Sequence, residues 1–236
     1  MGYLACATMV GTACLALAGA TTAAPARVPK APTAASAWTA EILHPVAARK
    51  GPSAGAGVAM KLKGQTTFTR GQQVLLVLDS AKDGKGTLWV KVNLPKRPNG
   101  SSGWVPEESV QLARTPYRVR ITLSTRTLQL LRGGRPIQTV KVAVGKPSTP
   151  TAPGLFAVAD PVPSSRQLGP YILVLTAYSD VLENFLGGDG VAGIHGWGDA
   201  SVMGQAASNG CIRMTRAGVK ALARYATAGT PVEIVA

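Results

Sequence analysis

The sequence has little charge, few acidic or aromatic residues, and very little cysteine and histidine. Only 15% of its 236 residues are charged and 5% are aromatic, which excludes long charged helices and coiled coils. Eleven acidic residues stand against 25 basic ones, for a net charge of +14 at neutral pH. Such a chain is attracted to nucleic acid, phospholipid or acidic cell-wall polymers, and the charge alone does not choose among them.

The N-terminal segment has no charged side chain from Gly2 to Ala26. Its apolar stretch is shorter than the about 20 residues that a bilayer requires, and small residues suited to signal peptidase follow it. We therefore expect residues 1–26 to be an export signal rather than a membrane anchor, and the mature protein to lie outside the cytoplasm. An exported protein with basic residues spread over its whole length is not expected to bind nucleic acid.

Cysteine and histidine are scarce enough to be counted individually. Cys6 and Cys14 lie within the expected export signal, so the mature protein would keep only Cys211 and no internal disulfide. A single thiol in an exported protein is either buried and inert, or made reactive by a neighbouring base. The two histidines are His44 and His195, and His195 lies sixteen residues before Cys211.

Composition divides the rest of the chain into three parts. Residues 27–56 are rich in Ala, Pro, Gly and Ser, and we predict a tether with some ordered contacts. Residues 57–114 contain short alternating apolar segments separated by turns, which predict a small all-β module. Within them, Trp89-x-Lys-Val and Gly103-Trp-Val-Pro resemble bacterial SH3-like cell-wall modules.

The third part, residues 115–236, begins with the alternating strand Tyr117 to Leu123. Further strands are expected at 128–131, 136–144, 155–159, 171–176, 193–195 and 231–236. Helical spacing occurs convincingly only after Cys211, where Thr215 is a candidate N-cap and Gly229 a candidate terminator. The sequence therefore predicts a mainly β protein with one or two short helices.

Two short segments carry residues suited to chemistry: Gly193-Ile-His-Gly196 and Ser208-Asn-Gly-Cys-Ile-Arg-Met214. An imidazole beside a thiol can take its proton, and the thiolate attacks acyl carbons. The N–H groups of Gly210 and Cys211 are candidate donors to an oxyanion, and the Arg213 charge suits a substrate carboxylate or a structural carbonyl. On spacing alone, however, such a pair is more often a buried inert cysteine and a core histidine than a catalytic pair.

These two segments resemble the active-site signature of the L,D-transpeptidase (YkuD-like) catalytic domain. Val144-Gly145, the segment from Thr149 to Phe156 and the segment from Gly229 to Val232 also fall where that family has them. The resemblance implies a β-sandwich-like catalytic domain over residues 115–236. One position departs from the pattern, because Asn209 stands where the family most often has a second histidine; Asn keeps a hydrogen-bond donor, which favours tolerance.

The resemblance implies a role for each matching residue. Cys211 matches the nucleophile and His195 the general base and acid. Ser208, Asn209 and Gly210 match positions of the loop and oxyanion site. Arg213 and the adjacent Trp197 are candidate substrate contacts. Trp197 is equally well explained as a packed aromatic residue.

The implied reaction is acyl transfer between peptidoglycan stem peptides, with a Cys211 thioester and a 3→3 cross-link as product. Water as acceptor would make the protein an L,D-carboxypeptidase, and a protein amine would make it a protein-anchoring enzyme. A catalytically decayed wall-binding protein is the remaining alternative. The resemblance implies no metal or organic cofactor, and no metal-ligand cluster is evident in the sequence. We expect a monomer associated with the cell wall and its anionic polymers.

Overall fold

The computed structural model describes residues 1–2, 28–165, 167–184 and 188–236. The predicted export signal therefore lies, apart from Met1 and Gly2, outside the described residues. Within the described ranges no helix has the length and apolar character needed to cross a membrane.

The first sheet contains seven strands from the N-terminal part of the chain. They are β1 (Ala37–Ile42), β2 (Val46–Arg49), β3 (Val58–Leu62), β4 (Val74–Lys82), β5 (Leu88–Asn93), β6 (Ser102–Pro106) and β7 (Val110–Thr115). Their order across the sheet is β3-β2-β6-β5-β4-β1-β7, and every neighbouring pair is antiparallel. This sheet has its own core, which includes Ile42, Leu75, Val90 and Val105.

The remaining strands follow in chain order. They are β8 (Tyr117–Thr122), β9 (Thr127–Arg132), β10 (Arg135–Lys141), β11 (Val144–Gly145), β12 (Gly154–Pro163), β13 (Tyr171–Tyr178), β14 (Val191–Trp197), β15 (Ala206–Ser208), β16 (Ile212–Thr215) and β17 (Pro231–Val235). Eight of them form a sheet in the order β10-β9-β8-β17-β12-β13-β14-β16, while β11 and β15 form a separate pair. Two neighbouring pairs of the large sheet, β17–β8 and β14–β16, are parallel.

One α-helix is present among the described residues, α1 (Arg216–Ala223). The Thr215 side chain accepts a hydrogen bond from Gly218 N at 3.1 Å, so Thr215 is the N-cap that the sequence predicted. Val219 and Leu222 are fully buried against the core of the eight-stranded sheet. The helix ends at Ala223, six residues before the predicted terminator Gly229. The chain turns at Arg224, and beyond it only Ala226 continues the buried apolar face.

The prediction of a mainly β fold with one or two short helices is confirmed. The strand in β8 follows from alternation, since Val119 and Ile121 are buried while Arg120 is exposed. The tether predicted for residues 27–56 is wrong for β1 and β2, which belong to the seven-stranded sheet. Burial of β1 between β4 and β7 compensates for its Ala-rich composition. The resemblance of residues 57–114 to SH3-like modules stays a prediction.

The two sheets pack against each other through a small apolar cluster. Ala37 and Leu76 of the first sheet contact Ala157 of the second, and all three are buried. Polar contacts between the two sheets lie close to the cleft described next.

Candidate active site

His195 lies near the end of β14 and only 5% of it is exposed. Its ring Nδ1 lies 2.8 Å from the carbonyl oxygen of Gly196. A carbonyl can only accept, so Nδ1 carries the hydrogen, and in the neutral ring Nε2 keeps its lone pair. The glycine after the histidine is required by packing, because a Cβ on Gly196 would lie 2.0 Å from the Gly169 carbonyl oxygen.

Cys211 lies one residue before β16, beside the strand that carries His195. The parallel pairing aligns Ile194 with Ile212, and both isoleucines are fully buried. Because side chains alternate along a strand, His195 and Cys211 face away from that core. Both line one cleft, and the Gly193 backbone forms a hydrogen bond with the Cys211 thiol.

The loop before Cys211 is held by hydroxyl groups. The fully buried Ser208 hydroxyl donates to the Cys211 carbonyl and accepts from Gly210 N at 3.1 Å. Thr151 Oγ1 donates to the Gly210 carbonyl at 2.9 Å. Gly210 has φ +113°, a conformation that favours glycine.

This arrangement changes the predicted oxyanion donors. The Gly210 N–H donates to Ser208 Oγ, so it is not free for a substrate oxygen. No hydrogen bond between described residues uses the N–H of Cys211. Of the two candidate donors, the Cys211 N–H is therefore the one that stays available to a substrate oxygen.

Burial dominates the electrostatics of both reactive groups. It lowers the pKa of His195 below its ordinary 6.5, and the positive charge of Arg213 lowers it further, against a backbone hydrogen bond that raises it. Burial raises the pKa of the Cys211 thiol above its ordinary 9.0, against the Gly193 backbone and Arg213, which lower it. At neutral pH the pair is therefore a thiol and a neutral imidazole, which is the protonation state that general-base activation needs.

Arg213 and Trp197 stack on each other at the end of β14. The guanidinium carbon lies 3.9 Å from the Trp197 ring centroid, and Nη1 donates to the Ala207 carbonyl at 3.2 Å. The buried Arg213 Nε has no hydrogen-bond partner among the described residues. Both side chains also line the cleft. Of the two roles that the sequence allowed for Arg213, the structure shows the contact with a structural carbonyl, that of Ala207. Trp197 packs against Arg213 and also lines the cleft.

Asn209 lines the same cleft and is partly exposed. All seven residues singled out in the sequence analysis, from His195 to Arg213, are therefore brought to one cleft of about 600 Å³. Within the described parts of the chain, no group of three or more His, Cys, Asp or Glu side chains is arranged to hold a metal ion.

The sequence analysis gave no role to Thr151, which supports the loop before Cys211, or to Phe68, which lines the cleft. Thr151, which holds the Gly210 carbonyl, lay inside a segment noted for resemblance but given no role. Phe68 reaches the cleft from the seven-stranded sheet. Its neighbours in the sequence are mostly polar, and no periodic pattern distinguished it from a surface residue.

Comparison with known proteins identifies the C-terminal part of the chain. A sequence model of the YkuD L,D-transpeptidase catalytic domain matches residues 116–234. A putative L,D-transpeptidase YkuD of Bacillus licheniformis is 36% identical over 120 residues, and its Bacillus subtilis counterpart is 32% identical over 120. Each alignment covers 50% of this chain and 66% of the relative, a little under two thirds of its length.

Solved structures include an L,D-transpeptidase from Mycobacterium tuberculosis that is 13% identical to this chain. The alignment covers 91% of this chain and 97% of that one, with a TM-score of 0.47. The family match rests on sequence instead, since the matched residues 116–234 make up half of the chain and include both His195 and Cys211. The chain belongs to the L,D-transpeptidase (YkuD) family.

Proposed function

We propose that this protein is a peptidoglycan L,D-transpeptidase that forms 3→3 cross-links between stem peptides through a thioester on Cys211. The observation that carries the proposal is the position of His195 on β14 and of Cys211 immediately before the adjacent parallel strand β16, with both residues lining one cleft. Because Nδ1 of His195 carries the hydrogen that bonds to the Gly196 carbonyl, Nε2 is the nitrogen with a free lone pair. A lone pair of this kind can take the proton of a thiol.

The first half of the reaction transfers the acyl group to the enzyme. His195 Nε2 takes the Cys211 proton, and the sulfur attacks the carbonyl of the diamino-acid residue at the third position of a tetrapeptide stem. The Cys211 N–H donates to the resulting oxyanion. The C–N bond to the terminal D-alanine breaks, and that amine leaves with the proton held by His195.

The second half transfers the acyl group to an acceptor. The side-chain amine of a second stem attacks the thioester carbonyl, forming a C–N bond as the C–S bond breaks. His195 takes a proton from the attacking amine and returns it to the Cys211 sulfur. These steps use side chains, backbone N–H groups and two substrates, so the proposal includes no cofactor.

We also propose two domains that divide near residue 115, between the end of β7 and the start of β8. Separate apolar cores in the two sheets support this division. An exported, wall-associated monomer fits the proposed substrate, and the net charge of +14 suits retention by anionic wall polymers.

Mass spectrometry of the intact protein tests the nucleophile directly. The wild type and Cys211→Ala are exposed to a carbapenem, a lactam expected to acylate the thiol in this family. We expect one covalent adduct on the wild type and none on Cys211→Ala. Thermal unfolding of both proteins serves as the control for folding.

An adduct that persists in Cys211→Ala, or a folded wild type without an adduct, would contradict the proposal and favour a decayed wall-binding protein. A second assay with tetrapeptide stems identifies the acceptor. A 3→3 dimer supports transpeptidation, whereas release of D-alanine with only tripeptide as product indicates a carboxypeptidase.

A further inference from the structure

Phe68 is an exposed aromatic residue in an unusual position. It belongs to the loop between β3 and β4 of the seven-stranded sheet, and 56% of it is exposed. Single exposed apolar residues are normal on protein surfaces. Phe68 differs from these because it lines the same cleft as His195 and Cys211, which belong to the other sheet.

The Phe68 backbone is attached to the eight-stranded sheet by a buried carboxylate. Asp160 of β12 is only 2% exposed, and it accepts hydrogen bonds from Phe68 N and Thr69 N, both at 3.0 Å. Thr69 Oγ1 donates to the same carboxylate at 2.7 Å. Charge-assisted hydrogen bonds of this kind hold the loop in place relative to the sheet that carries Cys211.

A second loop of the seven-stranded sheet holds another part of the cleft wall. Arg97 donates to the carbonyl oxygens of Ser179, Leu182 and Asp189 at 2.7 to 3.0 Å. Ser179 and Leu182 line the cleft. Contacts from the N-terminal sheet therefore shape the cleft at two places.

The cleft that Phe68 and Cys211 both line has the chemistry of an apolar binding site. Its lining includes Val162, Leu168, Ile172 and Val174, and among the described lining residues only Arg213 carries a full charge at neutral pH. Its volume of about 600 Å³ falls in the usual range for small-ligand sites, about 300–1,000 Å³.

We propose that Phe68 is a substrate-binding residue: an apolar face of the acyl donor, away from the reacting carbonyl, packs against its ring. This proposal rests on the proposed function, and it assigns the N-terminal sheet a direct part in binding the donor. The apolar face is either the aliphatic side chains of the stem peptide or the face of an attached sugar ring, which offers the same kind of C–H contact.

Binding measurements in a Cys211→Ala background separate recognition from chemistry. Calorimetry with a synthetic tetrapeptide stem, and with the same stem linked to its disaccharide, compares Phe68→Ala with the parent. Loss of a buried aromatic contact is expected to weaken binding by about tenfold or more. Phe68→Leu keeps an apolar side chain and should lose less affinity.

Ile137→Ala is the matched control. Ile137 is 50% exposed and lies on β10, at the opposite edge of the eight-stranded sheet from β14 and β16. Its removal should leave both affinities unchanged. Melting temperatures of all variants verify folding, and Phe68→Ala should match the parent because the side chain is exposed.

The two ligands distinguish the sources of the contact. A loss of affinity for both means that Phe68 contacts the peptide, and a loss for the disaccharide-linked stem alone means that it contacts sugar. Equal affinities for the parent, Phe68→Ala and Ile137→Ala on both ligands would overturn the inference while leaving the proposed function standing. A folded parent that binds neither ligand would instead count against the proposed function itself.

Discussion

The two sheets differ in the direction of their strands. Every neighbouring pair in the seven-stranded sheet is antiparallel, whereas the eight-stranded sheet contains the parallel pair β14–β16. Parallel neighbours end at the same edge of a sheet, so residues distant in sequence can meet there. The fifteen residues between His195 and Cys211 contain the connection that such a pair needs.

The seven-stranded sheet reaches the cleft in another way, through its loops. Phe68 and Arg97 both lie between strands, and both belong to loops hydrogen-bonded to the other sheet. The candidate reactive groups thus lie on β14 and immediately before β16, and the contacts from the seven-stranded sheet that shape the cleft lie on loops. Under the proposed function, the eight-stranded sheet carries the chemistry and both sheets shape the cleft.

The largest effect is expected from His195→Gln. Glutamine can donate to the Gly196 carbonyl but cannot take the Cys211 proton, so kcat/KM for stem peptides should fall by about 10²- to 10⁴-fold. His44→Gln is the matched control, since His44 is the other histidine of the chain and is exposed on the seven-stranded sheet. Steady-state kinetics of both variants tests whether chemistry belongs to one sheet alone. A comparable loss in His44→Gln would show that the chemistry is not confined to the eight-stranded sheet.

The next effect is the pH dependence of the thiol. Because burial raises the pKa of Cys211 above 9.0, its alkylation by iodoacetamide should still increase above pH 9, by about tenfold per pH unit below the pKa.

Because burial lowers the pKa of His195 below 6.5, the acid limb of stem-peptide turnover should have its midpoint below pH 6.5. Mass spectrometry and initial rates measure the two curves. An alkylation plateau below pH 8 would indicate a preformed thiolate–imidazolium pair instead.

The smallest effect is expected at the contact between the sheets. Asn99 Nδ2 donates to the Tyr178 carbonyl and its Oδ1 accepts from Tyr178 N, both at 2.8 Å. Asn99→Ala leaves these buried backbone groups unpaired and should lower the free energy of unfolding by about 1–3 kcal/mol. Thermal unfolding should show a drop of about 2–4 °C for each kcal/mol.

Ser101→Ala is the control for that measurement. It removes a hydrogen bond to Pro98 within the same hairpin, without touching the other sheet. An equal drop in melting temperature in both variants would mean that any lost hydrogen bond in this hairpin destabilises the protein. The Asn99 contact would then add no stability between the two sheets. A larger drop in Asn99→Ala would show that the two sheets stabilise each other through polar loop contacts.

The local sequence pattern predicted secondary structure correctly where a single strand or helix buries one of its faces. Alternation in β8 and the Thr215 cap of α1 were both readable, because they depend on neighbours within a few residues. β1 was not predicted as a strand, because the segments on either side of it are rich in Ala, Pro, Gly and Ser. Its strand structure comes from pairing with β4 and β7, which lie far along the chain.

The candidate site divides in the same way. The residues around Cys211 form a local motif, and the Ser208 hydroxyl satisfies groups only two and three residues away. Asp160 and Phe68 are 92 residues apart, and neither belongs to a periodic pattern that predicts their hydrogen bond.

Short-range patterns and motif residues encode the mainly β character, the helix after Cys211 and the identity of the candidate nucleophile and base, so these features could be predicted from the amino acids. Tertiary structure alone decided which strands are neighbours, that Ser208 occupies the Gly210 N–H, and that Phe68 reaches the cleft. These features depend on burial and on hydrogen bonds between groups that only the folded chain brings together.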